Sequence, residues 1–476
     1  MTHYIRKVCG RSLLSATQIT LAAILLTVVF SAPINAQTTT LSVDQAVSRA
    51  LERNPGLRIS KELHRERSAA SWQATTRRLP RLDFTGNFVR FDPTFFPEAA
   101  QFFSDARLSG QLRASHTIIS GGEIQGQSKT ASSLARMAKY DYQSDLLNTA
   151  HFARQAFYDA LLAERLVEVA QEAVSINEEE VRRAKVQFDI GEAAKINVLR
   201  AEVQLANSIP ELSNAHHNYR LAKARLAAFL GLDIDPADLE VTSLTLEGKL
   251  ESSRRLELPP LGRLIGAALD NRSELRSAHH ATNAARGEIK SSWSAVLPRV
   301  DVYGAYNWTN TENTFRVFDS TGVLQTEIPL EFDLKGWEVG ANASVPLFDF
   351  FGNVNGVRSA QAKARQAEIA EEDLRRQVDL DVRVAYSAYV ESIQSVASQT
   401  KNVERARESL RLARQLQAAG EATQLEVQQA QLDLTQASSL SAESNRDILL
   451  AESALLTAIG LPTLEDTARY GVVVIE

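Results

Sequence analysis

The sequence predicts a mainly α-helical chain with a membrane β-sheet component. It is laid out as two tandem repeats, each of two strands followed by a long helical hairpin. Three observations carry this: the chain matches itself at a fixed offset, two runs of more than 60 residues lack Gly and Pro, and alternating apolar segments precede both runs.

The repeat comes first, because missing it would misread every later element. A shift of 229 positions lays Gly191-Glu192-Ala193 on Gly420-Glu421-Ala422, Val198 on Val427, Ala201 on Ala430, Leu205 on Leu434, Leu226 on Leu455 and Gly231-Leu232 on Gly460-Leu461. Upstream, Leu79-Pro80-Arg81 matches Leu297-Pro298-Arg299 at a slightly smaller shift, and Ala50 to Asn54 loosely matches Ala267 to Asn271. The drift implies a longer insertion in one copy. The repeats are expected at 37–232 and 259–461, with a connector at 233–258 and a tail at 462–476.

Within each repeat, Gln127 to Ile190 and Val357 to Ala419 contain no Gly or Pro. As helices they would be rods of roughly 90–100 Å. Val167, Val174, Val181 and Phe188 recur every seven residues, as do Val396, Val403 and Leu410. The intervening seam positions are mostly small (Ala170, Asn177, Ala184; Ala406, Ala413), with Gln399 the long polar exception. A 3.5-residue period demands a partner helix in a left-handed supercoil. The partner is the return segment after each glycine, Glu192 to Leu230 and Glu421 to Ile459. Each repeat therefore holds an antiparallel helical hairpin, over about 123–230 and 353–459, with its tip at Gly191 or Gly420. Glycine supplies the positive φ that ends a helix. Pro210 predicts a kink in the first return helix alone.

Ahead of the rods, Leu82, Phe84 and Phe88 alternate with Asp83, Thr85 and Asn87, and Leu108 and Leu112 with Ser109, Gln111 and Arg113. Val300, Val302, Tyr306 and Trp308 alternate with Asp301, Tyr303 and Asn307; Trp337, Val339, Ala341, Ala343 and Val345 alternate with Glu338, Asn342 and Ser344. Period-2 segments of about ten residues with aromatic content are the pattern of membrane strands. Strand pairs are expected at about 81–119 and 299–348. The stretches Phe91 to Ala106 and Thr309 to Lys335 look unpatterned and are expected as long external loops. A short strand is expected at Leu239 to Leu244, in a connector lying against the middle of the rods, and another at Gly471 to Ile475.

Residues 1–36 have the form of a signal peptide: basic Arg6, Lys7 and Arg11, the apolar stretch Ile19 to Phe30, and a small-residue cleavage site ending at Ala36. About 12 apolar residues fall short of the roughly 20 needed to span a bilayer. Removing this leader and its three basic residues takes the net charge from −6 to −9. An acidic balance argues against nucleic acid as a partner. The only cysteine, Cys9, would leave with it, so no disulfide or Cys-metal site is expected.

Strands that meet lipid must close into a barrel, and four are too few. Several chains must contribute; two give eight strands, three give twelve and begin to leave a lumen.

Leu41-Ser42-Val43-Asp44-Gln45-Ala46-Val47, Asn54-Pro55-Gly56-Leu57, Leu-Pro-Arg before the strands, the Phe188-Asp189-Ile190-Gly191-Glu192 tip and the closing Gly231-Leu232-Asp233 or Gly460-Leu461-Pro462, mostly written twice, resemble the TolC-like outer membrane factor family. The resemblance covers nearly the whole chain after the leader. It implies a homotrimer with a 12-stranded barrel in outer-membrane lipid and an α-helical tunnel in the periplasm, docked on a periplasmic adaptor and an inner-membrane pump. It implies an exit duct and no cofactor. It places a pore constriction at Glu426 and Gln429, with Asn197 the first-hairpin equivalent, and gate-latch positions at Gln417 and Ala422, neither of them charged. It places adaptor docking at the tips, Gly191, Glu192, Gly420 and Glu421.

Two other classes compete. An enzyme needs clustered nucleophiles, acids or metal ligands, and no such motif is present; His216-His217 and His279-His280 are neighbours that point about 100° apart on a helix. A structural coiled-coil protein accounts for the rods but not for the amphipathic strands. Within the duct reading, the polypeptide-exporting channel of a type I secretion system is the alternative to efflux.

Overall fold

The computed structural model describes residues 39–92, 102–233, 238, 241, 244–250, 255–319, 321, 323–462 and 473–475. The expected leader at 1–36, much of the connector and most of the tail lie outside the described residues.

The first repeat opens with β1 (Thr39–Leu41), α1 (Val43–Arg53) and α2 (Pro55–Thr76). Ser42 starts α1 with a capping box to Gln45, and the Asn54 side chain caps α2 ahead of Pro55, which fits the first helical position without an N–H to satisfy. Then come β2 (Arg81–Arg90), β3 (Phe102–Ser120), the rod α3 (Glu123–Asp189) and its return α4 (Lys195–Phe229). The second repeat follows β4 (Leu244–Leu246) and β5 (Arg255–Glu257). It comprises α5 (Leu261–Asn271), α6 (Ser273–Ser292), a short 3-10 turn, β6 (Arg299–Phe318), β7 (Leu324–Ser344), the rod α7 (Gly352–Ala418) and its return α8 (Gln424–Ile459). The chain closes on β8 (Val473–Ile475).

The rods are 67 residues each and start at Glu123 and Gly352, within a residue of where the hairpins were expected to begin. The first return helix runs unbroken through Pro210. The heptad seam is observed nearest the tips: Val181, Ala184, Val198 and Ala201 pack with Leu205, and Leu410, Val427, Ala430 and Leu434 pack with Val403, Ala406 and Ala413. Those two sets superpose under the 229 shift. Phe188, expected in the seam, is instead exposed beside the tip, because α3 ends one residue beyond it.

At the waist, each repeat has its own apolar core. The first gathers Leu41, Ala50, Phe157, Leu161, Leu226 and Leu230 with Val241, Leu244 and Leu250 of the connector. The second gathers Leu256, Leu264, Val378, Val382, Tyr389, Leu455 and Ile459. The connector therefore lies against the rods: β1 pairs in parallel with β4, and the buried Lys223 ammonium donates to the Val241 and Leu244 carbonyls. The described connector strand is Leu244–Leu246, the rest of the stretch expected as a strand lying mostly outside the described residues, and the tail strand β8 pairs antiparallel with β5. Arg272 joins Glu274 (3.1 Å) and Asp381 (2.7 Å), tying the α5–α6 junction to α7. Burial alone raises the Glu274 carboxyl, but its hydrogen bond and charge contact with Arg272 outweigh this and hold it below its ordinary value.

The four long strands form one antiparallel sheet in the order β2-β3-β6-β7. Here two expected loops are corrected. β3 begins at Phe102, inside the stretch assigned to the first loop, of which 93–101 lie outside the described residues, and β6 and β7 pair through the stretch assigned to the second, from Thr309↔Leu334 to Phe318↔Leu324.

Candidate functional site

A conduit is defined by its walls and its ends, so the informative geometry lies in the two faces of the sheet and the two hairpin tips. Cross-strand pairing fixes which side chains share a face. The pairs Phe84↔Leu112, Leu112↔Tyr306 and Tyr306↔Trp337 place these four on one face. With them come Leu82, Phe88, Leu108, Trp308, Val339, Ala341 and Ala343, an apolar surface that is largely exposed in the single chain. The opposite face carries Asp83, Gln111, Arg113, Asp301, Asn307, Glu338 and Asn342, knitted by Gln111–Asn307 (2.7 Å) and Thr117–Asp301 (2.5 Å) hydrogen bonds. One apolar and one polar face is the arrangement of a barrel wall between lipid and a wet lumen. Trp308 stacks on Phe84 at 5.6 Å and lies over Gly110, where any side chain would collide with the indole.

The wall changes character above Trp308 and Trp337. Register continues without a shift from Arg299↔Ser344 to Val317↔Thr326, yet the polarity of the faces inverts. The side that was apolar now holds Asn310–Glu331 (2.6 Å), Arg316–Glu327 (2.9 Å) and Lys335–Asp333 (2.5 Å) pairs. The side that was polar now holds Ile328, Leu330, Phe332 and Leu334 of β7, with Phe315 of β6 opposite Ile328 and Thr309, Thr311 and Asn313 of β6 beside the other three.

At the other end of β7, Leu347, Phe348, Phe350 and Phe351 project into solvent in the single chain. Phe350 and Phe351 have φ of 50° and 66°, a conformation that costs a side-chain-bearing residue about 1–2 kcal/mol. Gly121 and Gly122 hold the same positions in the first repeat. Among the described residues the Phe350 ring meets that of Phe348 at 4.7 Å, and both rings stay largely exposed, the placement that aromatic residues take at a membrane interface.

The tips are built alike. Gly191 and Gly420 have φ of +79° and +80° and open space where a Cβ would stand. Glu192 N–H donates to the Gln187 carbonyl and Gly191 N–H to Phe188; Glu421 N–H donates to Leu416 and Gly420 N–H to Gln417. Both rods thus end in the six-to-one closure that glycine permits. The next helices start differently. Ala194 leaves α4 without a side-chain cap, while Thr423 and Glu426 form a capping box on α8.

The structure places the expected site residues as follows. Gly191, Glu192, Gly420 and Glu421 sit exposed at the two reversals. Glu426 is exposed in the first turn of α8, its carboxylate accepting from Thr423 N–H at 2.6 Å. Gln429 lies one turn on, and Asn197, half-buried, occupies the matching place in α4. Gln417 hydrogen-bonds Gln424 across its own tip, and Ala422 N–H donates to Leu416. Two residues went unread. Asp433, two turns beyond Glu426 on the same face, accepts from Gln429 Nε2 at 2.8 Å, so that face carries a second carboxylate after all. Glu180, nearly buried, accepts from Arg414 at 3.2 Å and joins the first rod to the second near the tips. Beside it, Glu179 sits below the ordinary carboxylate range through its hydrogen bond to Arg183. The seven-residue spacing of Glu426 and Asp433 was available to sequence; the Glu180–Arg414 pair spans the repeats and had no local signal. Among the described residues, no three His, Cys, Asp or Glu side chains come together to hold a metal, and no helix is long and apolar enough to cross a membrane.

Comparison with known proteins adds four findings. The family model for outer membrane efflux proteins matches residues 46–232 and 264–461. The outer membrane efflux protein BepC of Brucella suis is 21% identical over 367 residues, 76% of this chain and 74% of that protein. The alkaline protease secretion protein AprF of Pseudomonas aeruginosa is 23% identical over 299 residues, 62% of this chain and 58% of that protein. In fold, the chain is similar to the CmeC outer membrane channel of Campylobacter jejuni, with a TM-score of 0.73 at 15% identity over 90% of this chain and 88% of that one.

Proposed function

The chain belongs to the outer membrane efflux protein family, and from that premise we propose that it is the passive exit duct of a tripartite efflux system. In this reading it is a homotrimer and performs no catalysis. A periplasmic adaptor seats on the tips at Gly191 and Gly420, and an inner-membrane pump delivers the cargo. The observation that carries the reading is the open sheet β2-β3-β6-β7, apolar on one face and polar on the other, set on two helical hairpins. An open sheet edge is not tolerated in lipid, and three copies supply the twelve strands that close one wall around a wet lumen.

The test is the mass and cross-linking pattern of the assembly in mild detergent. A trimer whose heat-dissociated form runs at the single-chain mass is expected; a stable monomer with a closed barrel sinks the reading. The likeness to AprF favours a second reading, the same duct exporting a polypeptide. Identifying the inner-membrane partner that co-purifies with the chain separates the two.

A further inference from the structure

We propose that the upper half of the β6–β7 hairpin forms an apolar collar that closes the external mouth of the duct to hydrated solutes. This rests on the reading of the chain as a trimeric outer-membrane duct.

The limits of the membrane band come first. From Trp337, eleven residues lead to Phe348. The seven that lie in β7, to Ser344, climb about 18 Å at ~3.3 Å per residue and a tilt of ~40°, and the four non-strand residues to Phe348 lead on toward the far side of the ~25 Å apolar band of such barrels. The aromatic group of Tyr306, Trp308 and Trp337 marks one border, and Phe348, Phe350 and Phe351 mark the other. The rods continue from the Phe351 side, so the hairpin beyond Trp308 and Trp337 stands outside the cell.

The inversion then has a direct meaning. Outside the band, the outward face is wet and carries the Arg316–Glu327, Asn310–Glu331 and Lys335–Asp333 pairs. The lumen face, polar within the membrane, gains an apolar row on β7 at Leu334, Phe332, Leu330 and Ile328, with Phe315 opposite Ile328, while Thr309, Thr311 and Asn313 of β6 stay polar beside it. The five apolar residues are left 37–67% exposed in one chain wherever they rank among the exposed apolar groups, which Leu330 alone does not. An exposed apolar row of this kind along one strand needs a cover. Bent over the opening, the hairpin turns this face toward the axis, so its cover is the same face of the other two copies. An apolar constriction gates by expelling water, without any charged latch.

The test uses the chain's cysteine content. With Cys9→Ser the protein has no thiol. In that background, Glu331→Cys places a thiol on the outward face of the hairpin, and Asn342→Cys places one on the lumen face below the collar. Whole cells are treated with a charged maleimide too large for general porins. Glu331→Cys should label quickly. Asn342→Cys should label slowly, and severalfold faster when Leu330→Ser and Phe332→Ser are added. The apolar swaps Leu330→Phe and Phe332→Leu should leave it slow. Equal labelling of Asn342→Cys in the native and Ser backgrounds, with Glu331→Cys still reactive, overturns the collar alone. An unreactive Glu331→Cys overturns the membrane placement and the collar with it.

Discussion

The Glu426 carboxylate accepts from Thr423 N–H and lies near its hydroxyl, so its charge and its hydrogen bonds serve separate ends. The bonds fix the start of α8; in the proposed trimer with converging tips, three copies of the charge would repel one another and attract cations. Asp433, about 10 Å along the helix, adds a second acidic level. Replacement by alanine removes cap and charge together and costs about 0.3–1.5 kcal/mol of helix start. Glutamine is accepted at this capping position, so Glu426→Gln isolates the charge. We expect single-channel recordings of Glu426→Gln to show reduced cation selectivity in the closed state at low salt, a difference that shrinks at high salt, with Asp433→Asn deepening the loss. Selectivity unchanged in the double variant would return both residues to ordinary solvated helix acids. The cap was legible, since Thr423-x-x-Glu426 is a capping-box signature; the Glu180–Arg414 bridge was not, because nothing local distinguishes a glutamate that will be buried 234 residues from its partner.

At the scale of elements, two kinds of glycine do opposite work. Gly191 and Gly420 face open space and matter only for their positive φ. Gly126 of α3 and Gly287 of α6 have ordinary helical backbones, but a Cβ at Gly126 would overlap the Ser291 backbone, and one at Gly287 would come within 2.8 Å of Thr130 N. They let α3 and α6 cross in contact just below the sheet, where Thr130 also donates to the Ala284 carbonyl at 3.0 Å. Gly126→Ala or Gly287→Ala should therefore lower thermal stability by about 1–3 kcal/mol through overpacking. Gly191→Ala should cost about 1–2 kcal/mol locally, weakening adaptor binding while leaving the unfolding temperature of the waist in place. A thermal shift as large at Gly191 as at Gly126 would show that the tips are not the loosely packed ends described above. The rods and their glycine ends were readable because a long gap in Gly and Pro and a doubled tip survive any local noise. The upper β6–β7 hairpin was not, although Leu324, Ile328, Leu330, Phe332 and Leu334 do alternate with Gln325, Glu327, Glu331, Asp333 and Lys335. Their phase is opposite to that of Trp337 to Val345, and a period counted across Gly336 cancels itself.

For the whole molecule, the waist of α7 poses the last question. Val378 and Val382 are fully buried in the core of the second repeat. Leu380 and Val384, two residues on from each, face the other way and are 51% and 60% exposed. A helix apolar on two opposite sides needs partners on both, and among the described residues of one chain only one side is covered. In the first repeat Phe152 is left 51% exposed at a comparable height, so both halves offer apolar groups that their own cores do not use. Three copies around an axis bring such surfaces together. Leu380→Lys with Val384→Lys should then convert the solubilised trimer to single chains, because two desolvated ammonium groups per interface, repeated three times, outweigh the apolar contact they replace. Mass measurement in mild detergent reads the oligomer, and circular dichroism reads the hairpins. Single chains with helicity intact are expected, and the apolar swaps Leu380→Met and Val384→Ile should remain trimeric. A trimer that survives both lysines would place the subunit contact elsewhere on the rods. Loss of helicity in the lysine variant would assign Leu380 and Val384 to the fold of the single chain.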